Sequence, residues 1–354
     1  RHSRSHLLDG FSLMSESAGK NGCKRYWTDD IRRLVAKRQE VLERVEETRK
    51  ESYRRVLIEF DQHFETWNAV GMVLSELDAF ISLAIVSRDE SMCQPVMLDC
   101  KENDSFQPVF SACSLYHPLL AERINGRFVS NDIHLDPRNN HPAVILLSGP
   151  NMGGKSTLLR QTCLAVIMAQ IGCSVMAESL ELTPVDRIFT RIGAHDRITR
   201  GQSTFMIEME ETAIMLNQAT VHSLLILDEL GRGTSTHDGL AIASAVLDDI
   251  SNRIRCRTLF STHYHMLGEK QMQFSKDGAN GDRNSKQVYQ VALNQMAAQV
   301  VESEKKITFL YKLVPGIAPY SRGISCAQLA GIPDHVTRCA KAYAGEMEAL
   351  VEGR

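Results

Sequence analysis

Gly149-Pro150-Asn151-Met152-Gly153-Gly154-Lys155-Ser156-Thr157 decides how this chain is read. It fits the pattern GxxxxGK[ST], with the apolar run Ala143–Ser148 before it and a helix-compatible stretch at 155–171 after it. That order is what phosphate binding requires. A strand delivers the loop, glycines let consecutive backbone N–H groups face phosphate oxygens, and a helix N-terminus adds positive partial charge. Within this pattern Lys155 is expected to reach the β- and γ-phosphates of a nucleotide, and the Ser156 hydroxyl to ligate Mg²⁺.

Further along stands Leu224-Leu225-Ile226-Leu227-Asp228-Glu229, an apolar strand ending in two carboxylates. Downstream of a phosphate loop this is the Walker B pattern. Asp228 is expected to hold Mg²⁺, directly or through water, and Glu229 to orient and polarise the attacking water. Thr258–Ser261 is another strand-like run, followed by Thr262 and His263. At the end of a core strand His263 fits a sensor of the γ-phosphate, and equally a hydrogen-bonded loop histidine; His265 has no such claim. The string Leu230 to Gly239 is rich in Gly and hydroxyl residues, and Ser203-Thr204-Phe205 precedes a helix. For both, phosphate contact and plain N-capping fit the spacing. There is no HExxH and no GxSxG, so a zinc protease or an α/β-hydrolase has no support.

Around these motifs, β-like runs at 108–110, 143–148, 186–190, 224–228 and 258–261 alternate with helical stretches at 155–171, 205–220 and 238–252. This alternation predicts an α/β domain with a largely parallel sheet. Gly268–Lys286 is polar and reads as a flexible loop. Two more strands are expected at 288–293 and 307–313, then helix over 323–350, interrupted at Gly331 and Pro333.

The first part of the chain has a different texture. Residues 1–22 are Ser- and Gly-rich, and Thr28 is a plausible N-cap with Asp29 and Asp30 in the first turn. Helices are expected from there to about Val86, with a break near Trp67–Gly71. Acid-first pairs Glu40/Arg44, Glu46/Lys50 and Glu51/Arg55 stand four apart. A long charge-laced helix with a narrow apolar stripe suits an arm or lever. Residues 1–55 carry a balance of +5 and the remainder −8, giving the net −3. The start therefore suits either approach to a polyanion or a solvated helix face.

Composition is that of a globular protein of about two domains: 354 residues, 43% hydrophobic and 23% charged. Uninterrupted apolar runs are short, such as Cys163–Ala169, against the ~18–20 residues a bilayer requires, so no membrane is expected. Nine cysteines without a CxxC pair argue against structural zinc and for reduced thiols in an intracellular compartment. No apolar leader follows Arg1, and no Met opens the chain, which reads as a fragment of a longer one.

Taken together, GPNMGGKST, STFMIEM (203–209), LDELGRGTSTHDGLAIA (227–243) and STHY (261–264), in this order, resemble the ATPase domain of the MutS mismatch-repair family over about His117 to Pro333. Lys24-Arg25-Tyr26-Trp27-Thr28 further resembles one eukaryotic branch of that family, whose subunit reads the mismatch within a heterodimer. The resemblance implies a P-loop ABC-type ATPase domain with a mostly parallel sheet, preceded by long lever and clamp helices. It implies ATP and Mg²⁺ as cofactors, with Gly149, Pro150, Asn151, Met152, Gly153, Gly154, Lys155, Ser156 and Thr157 holding nucleotide in cis. Phe128 would stack on adenine, and Ser203 would reach the partner subunit's nucleotide in trans. Lys155, Glu229 and His263 would be catalytic, with Ser156 and Asp228 on the metal.

The implied organisation is a disordered lead at 1–27, a helical lever region at 28–92, the ATPase domain at 93–322 with its loop at 268–286, and a helical dimerisation segment at 323–354. The implied activity is a DNA-dependent ATPase in the nucleus. Its implied partners are a second MutS homologue subunit of the homologue-two type, mismatched double-stranded DNA through the full-length protein, and a downstream MutL-type factor. Ser321-Arg322-Gly323 departs from the family's Ser-Tyr-Gly. The rivals are a MutS relative in meiotic recombination or ribosome rescue, another ABC-type ATPase with helical arms, and a nucleotide-binding scaffold with little turnover. The absent LSGGQ-type signature opposes the second, and the intact Lys155, Ser156, Asp228 and Glu229 oppose the third.

Overall fold

The computed structural model describes residues 12–16, 24–89, 91–99, 107–123, 127–193, 204–280, 291–301, 306–318 and 323–351. The chain divides into two compact units, Arg1–Phe80 and Ile81–Arg354.

In the first unit, β1 (Ser12–Glu16) and β2 (Lys24–Trp27) form an antiparallel pair, so these stretches are not the disordered lead the composition suggests. Tyr26 and Trp27 supply the aromatic strand preference that the Ser/Gly content masks. Helix α1 (Asp29–Asp61) opens at Thr28, whose Oγ1 accepts the Ile31 N–H at 3.3 Å. Helix α2 (Phe64–Val86) follows at once and continues past the boundary between the units. The break falls at Gln62–His63 rather than at Trp67–Gly71. Across it the rings of Phe60 and Trp67 stack at 5.3 Å, and Gly71 stays helical with open space around it. Two of the expected ion pairs form, Glu40–Arg44 and Glu51–Arg55, while Glu46 takes Arg49 instead of Lys50.

No residue of α1 or α2 is buried. By length and composition α2 is apolar enough to cross a bilayer, which a search for uninterrupted apolar runs misses because Glu65, Glu76 and Asp78 divide it. Carboxylates at 76 and 78 would be costly inside hydrocarbon.

The second unit alternates strands and helices as expected. In chain order it contains β3 (Val96–Met97), β4 (Phe110–Leu115), α3 (Pro118–Arg123), β5 (Asn131–Leu135), β6 (Val144–Ser148), α4 (Lys155–Gln170), β7 (Ser179–Leu182), β8 (Ile188–Arg191) and α5 (Thr204–Gln218). Then come β9 (Leu224–Asp228), α6 (Thr236–Asp249), β10 (Arg257–Ser261), α7 (His265–Asn280), β11 (Val291–Val301), β12 (Lys306–Pro315), α8 (Gly323–Leu329) and α9 (Asp334–Val351). Six strands form one sheet in the order β12-β11-β6-β10-β9-β8, parallel throughout except for the β11–β12 pair. A second sheet, β3-β7-β4-β5, was not legible in the sequence.

Alternation along β6 divides the core. Ile145 and Leu147 face α4 and the second sheet, where Leu158, Leu159, Val166, Phe110 and Leu182 pack. Val144 and Leu146 face the opposite layer, with Val246 and Leu247 of α6 and Met215 of α5. Each such fully buried side chain contributes roughly 1.5–3 kcal/mol. Arg257, fully buried at the start of β10, ties the layers together. Its guanidinium donates to the carbonyls of Val109, Thr183, Pro184 and His222 and to Thr183 Oγ1.

One expected loop is a helix. Residues 268–280 belong to α7, because Leu267 is buried and Gly268 docks on Ile317, whose Cδ1 would lie 2.6 Å from an added Cβ. Residues 281–286 lie outside the described residues. The interruption before α9 falls at Gly331 and Pro333 as read, with Gly331 at φ +85°.

Candidate functional site

The carboxyl ends of β6, β10 and β9 lie side by side, and that edge is where an open parallel sheet binds ligands. β6 ends in the glycine loop, and α4 starts from Gly154 at Lys155. Three loop residues have positive φ: Gly149 at +139°, Met152 at +66° and Gly154 at +96°. At Gly154, where the positive φ favours glycine, a side chain would also stand a tight 3.2 Å from the Tyr311 ring.

Lys155 is buried, and its Nζ donates to the carbonyls of Gly149 at 2.8 Å and Pro150 at 3.2 Å. Burial holds its ammonium below the ordinary lysine value, with Glu229 and Asp228 opposing that shift. Ser156 Oγ donates to Asp228 Oδ2 at 2.7 Å, which brings the loop and the end of β9 together. The other oxygen, Asp228 Oδ1, is buried without a partner. A hydroxyl beside a carboxylate with a free buried lone pair is an all-oxygen donor set that fits Mg²⁺.

Glu229 follows Asp228 with φ +60°, a conformation that costs a non-glycine residue about 1–3 kcal/mol and is kept where a site over-determines it. Its N–H donates to Ser261 O at 3.0 Å. Its Oε1 hydrogen-bonds His263 Nε2, and its Oε2 accepts Arg232 at 2.5 Å. The bond from His263, helped by the charges of His263 and Arg232, lowers Glu229 to about 2 against the cost of burial. Glu229 is thus held ionised, and it lines the cavity beside the loop.

A cavity of about 560 Å³ opens between these groups, lined by the loop residues 150–152 and 154–157 and by Glu229. Phe128 lines it as well, tilted against Tyr116 at 5.9 Å. Ser203 lies outside the described residues; Thr204 and Phe205 open α5. Of the hydroxyl-rich string, Ser235 caps α6 by accepting the Asp238 N–H. His265 does not line the cavity, and burial pushes its ring down.

The structure adds two residues that sequence patterns did not single out. Tyr311 sits on a bulge of β12 with φ +54° and lines the cavity. Asn131 holds it there: Asn131 Nδ2 donates to Tyr311 O at 3.0 Å, and Asn131 Oδ1 accepts the Leu313 N–H at 2.6 Å. A positive φ at tyrosine has no sequence signature.

A mixed α/β unit with a glycine loop facing an Asp-Glu strand end is common to many nucleotide-binding families, and comparison with known proteins narrows it to one. Residues 145–348 match the family described as MutS domain V, and the chain belongs to the MutS family. It is 42% identical over 341 residues to the DNA mismatch repair protein Msh6 of Gallus gallus, covering 93% of this chain and 24% of that protein. It is 41% identical over 344 residues to Msh6 of Homo sapiens, covering 94% and 24%, and 40% identical over 321 residues to MutS of Solibacter usitatus, covering 90% and 34%. The branch suggested by residues 24–28 is therefore that of Msh6. The chain spans about a quarter of the length of these Msh6 relatives.

Proposed function

We propose that this chain binds and hydrolyses MgATP as the nucleotide-driven part of a mismatch-repair protein. The observation that carries the reading is that Lys155, Ser156 and Glu229 line one cavity, with Asp228 bonded to Ser156 and His263 bonded to Glu229 behind them. The triphosphate lies along the loop, with Lys155 exchanging the Gly149 and Pro150 carbonyls for phosphate oxygens. The base lies between Phe128 and Tyr311. Ser156 and Asp228 hold Mg²⁺, which when bound neutralises charge on the β- and γ-phosphates. Glu229 accepts a hydrogen bond from water and aligns it with the γ-phosphorus. Attack forms one P–O bond as the bond to the bridging oxygen breaks, giving ADP and inorganic phosphate. His263 keeps Glu229 ionised and oriented.

In the whole protein we place this site in a nuclear heterodimer with a second MutS homologue subunit of the homologue-two type. Ser203 of this chain reaches the partner subunit's nucleotide. The lever helices carry the coupling between nucleotide state and mismatched DNA, and a MutL-type factor follows. By linkage, DNA binding and nucleotide affinity then change each other by the same factor.

The metal site is tested with Mn²⁺ and a non-hydrolysable ATP analogue, read by electron paramagnetic resonance. Wild type is expected to bind Mn²⁺ with the analogue, and Asp228→Asn to lose at least about tenfold in Mn²⁺ affinity. Equal binding by the two would remove Asp228 from the metal.

A further inference from the structure

Two residues past Glu229, the peptide groups of Gly231 are held from both sides. The Gly231 N–H donates to Glu208 Oε1 at 2.8 Å, and Gly231 O accepts the Tyr264 hydroxyl at 2.9 Å. Glu208 lies on α5 and is buried, its other oxygen 3.6 Å from the equally buried guanidinium of Arg191. Tyr264 is the residue after His263. The backbone leaves no slack: Gly231 has φ +89°, and an added Cβ would lie 2.6 Å from Gly239 O on α6. The reciprocal Cβ at Gly239 would lie 2.3 Å from both Gly231 O and the Tyr264 hydroxyl. Two residues further, Gly233 packs on Phe205 of α5, 3.1 Å from Cβ to Cβ if a side chain were built there.

These contacts form one device. A buried carboxylate with a short bond to a backbone N–H is a stronger restraint than a neutral pair. It acts on the turn that also carries Glu229 in its strained conformation. The tyrosine that grips the next peptide, on the other side of the Gly231 Cα, is covalently next to the histidine that bonds Glu229. Moving the turn therefore moves the base, and moving Tyr264 moves His263.

We propose that Glu208 and Tyr264 are positioning residues for hydrolysis: by clamping the two peptides that flank the Gly231 Cα they set the geometry of Glu229 and His263, without touching nucleotide. The inference rests on the hydrolytic reading above. It makes α5 a mechanical input to the base, because Glu208 and Phe205 both transmit from that helix to the turn.

The test uses the full-length protein in its native assembly, with any partner subunit's own ATP site inactivated. Single-turnover hydrolysis and MgATP affinity are measured for wild type, Glu229→Gln, Glu208→Ala, Glu208→Gln and Tyr264→Phe. Glu208→Ala is expected to slow the chemical step at least about tenfold with affinity within about threefold of wild type. Tyr264→Phe, which deletes one hydroxyl, is expected to slow it about three- to tenfold with the same split. Glu208→Gln keeps an oxygen for the Gly231 N–H and is expected to restore the rate to within about threefold. If Glu208→Ala does not fold, Tyr264→Phe decides alone: a rate loss supports the clamp and a wild-type rate overturns it.

Wild-type rates in both Glu208→Ala and Tyr264→Phe overturn the clamp while Glu229-dependent turnover stands. A Glu208→Gln as slow as the alanine variant also overturns it, because the carboxylate then acts through Arg191. Loss of affinity instead of rate assigns Glu208 to binding and contradicts the proposal. If wild type itself shows no Glu229-dependent turnover, the hydrolytic reading falls, and the clamp with it.

Discussion

Replacing Lys155 by Met keeps the length of a buried side chain while deleting its charge and its N–H donors. Without nucleotide, two opposing effects follow. The carbonyls of Gly149 and Pro150 lose charge-assisted bonds of about 1.5–3 kcal/mol each, while the cost of burying an ammonium, several kcal/mol, is relieved. These offset, so the melting temperature without ligand should stay within a few degrees of wild type. With nucleotide the two proteins diverge. At a concentration of about 100 times the wild-type Kd, binding stabilises the folded chain by about 2.7 kcal/mol. At roughly 2–4 °C per kcal/mol, that is a rise of about 5–10 °C. Loss of two charge-assisted phosphate contacts costs the variant at least about 3 kcal/mol of binding, or at least about 100-fold in Kd. At the same nucleotide concentration the variant then gains about 0.4 kcal/mol, a rise of about 1 °C. Differential scanning fluorimetry over an ATP titration reads this directly. A variant whose melting temperature rises as far as the wild type's would refute the role given to Lys155.

Other consequences are open to measurement. Arg257→Met should cost about 3 kcal/mol or more in denaturant unfolding, since it strips a buried charge from several carbonyl acceptors; a loss below about 1 kcal/mol would show that the layers hold without it. Glu229 has its folded-state value lowered from 4.5 to about 2, so its carboxylate contributes stability in full above about pH 4.5 and loses it as pH falls toward 2. The stability difference between wild type and Glu229→Gln should therefore shrink as pH falls across that window; a difference independent of pH there would contradict the pairing with His263. Cys326 Sγ lies 3.9 Å from Asn151 O at the edge of the loop, whereas burial pushes Cys163 up to about 12 and Cys256 up to about 11. Mass-resolved alkylation should find MgATP slowing modification of Cys326 and leaving the exposed Cys339 unchanged; equal protection of both would place the nucleotide elsewhere.

What was legible in the sequence is what local chemistry dictates. β6, β9 and β10 are parallel strands covered on both faces, so each reads as a continuous apolar run, and the functional residues sit at or just past their ends. The second sheet was not legible because β5 and β7 are short and alternate buried with exposed positions, a pattern that Asn131-Asp132-Ile133-His134-Leu135 hides among polar residues. Residues 268–280 of α7 read as a loop from composition, yet tertiary docking of Gly268 on Ile317 outweighs weak helix propensity. At the site, Lys155, Ser156, Asp228 and Glu229 carry their chemistry in their spacing. Tyr311 and Glu208 do not: one depends on a bulge and a positive φ, the other on a bond from residue 208 to residue 231. The break between α1 and α2 falls at Gln62–His63 with no glycine or proline to announce it.

The central claim is that this chain turns over MgATP through Glu229. The direct measurement is the ATPase rate of wild type and Glu229→Gln, each alone and mixed with the ATPase region of a homologue-two-type partner. The account predicts turnover in the mixture well above the sum of the separate chains, reduced at least about tenfold by Glu229→Gln while nucleotide affinity is retained. Nucleotide binding without Glu229-dependent turnover in either setting would contradict it.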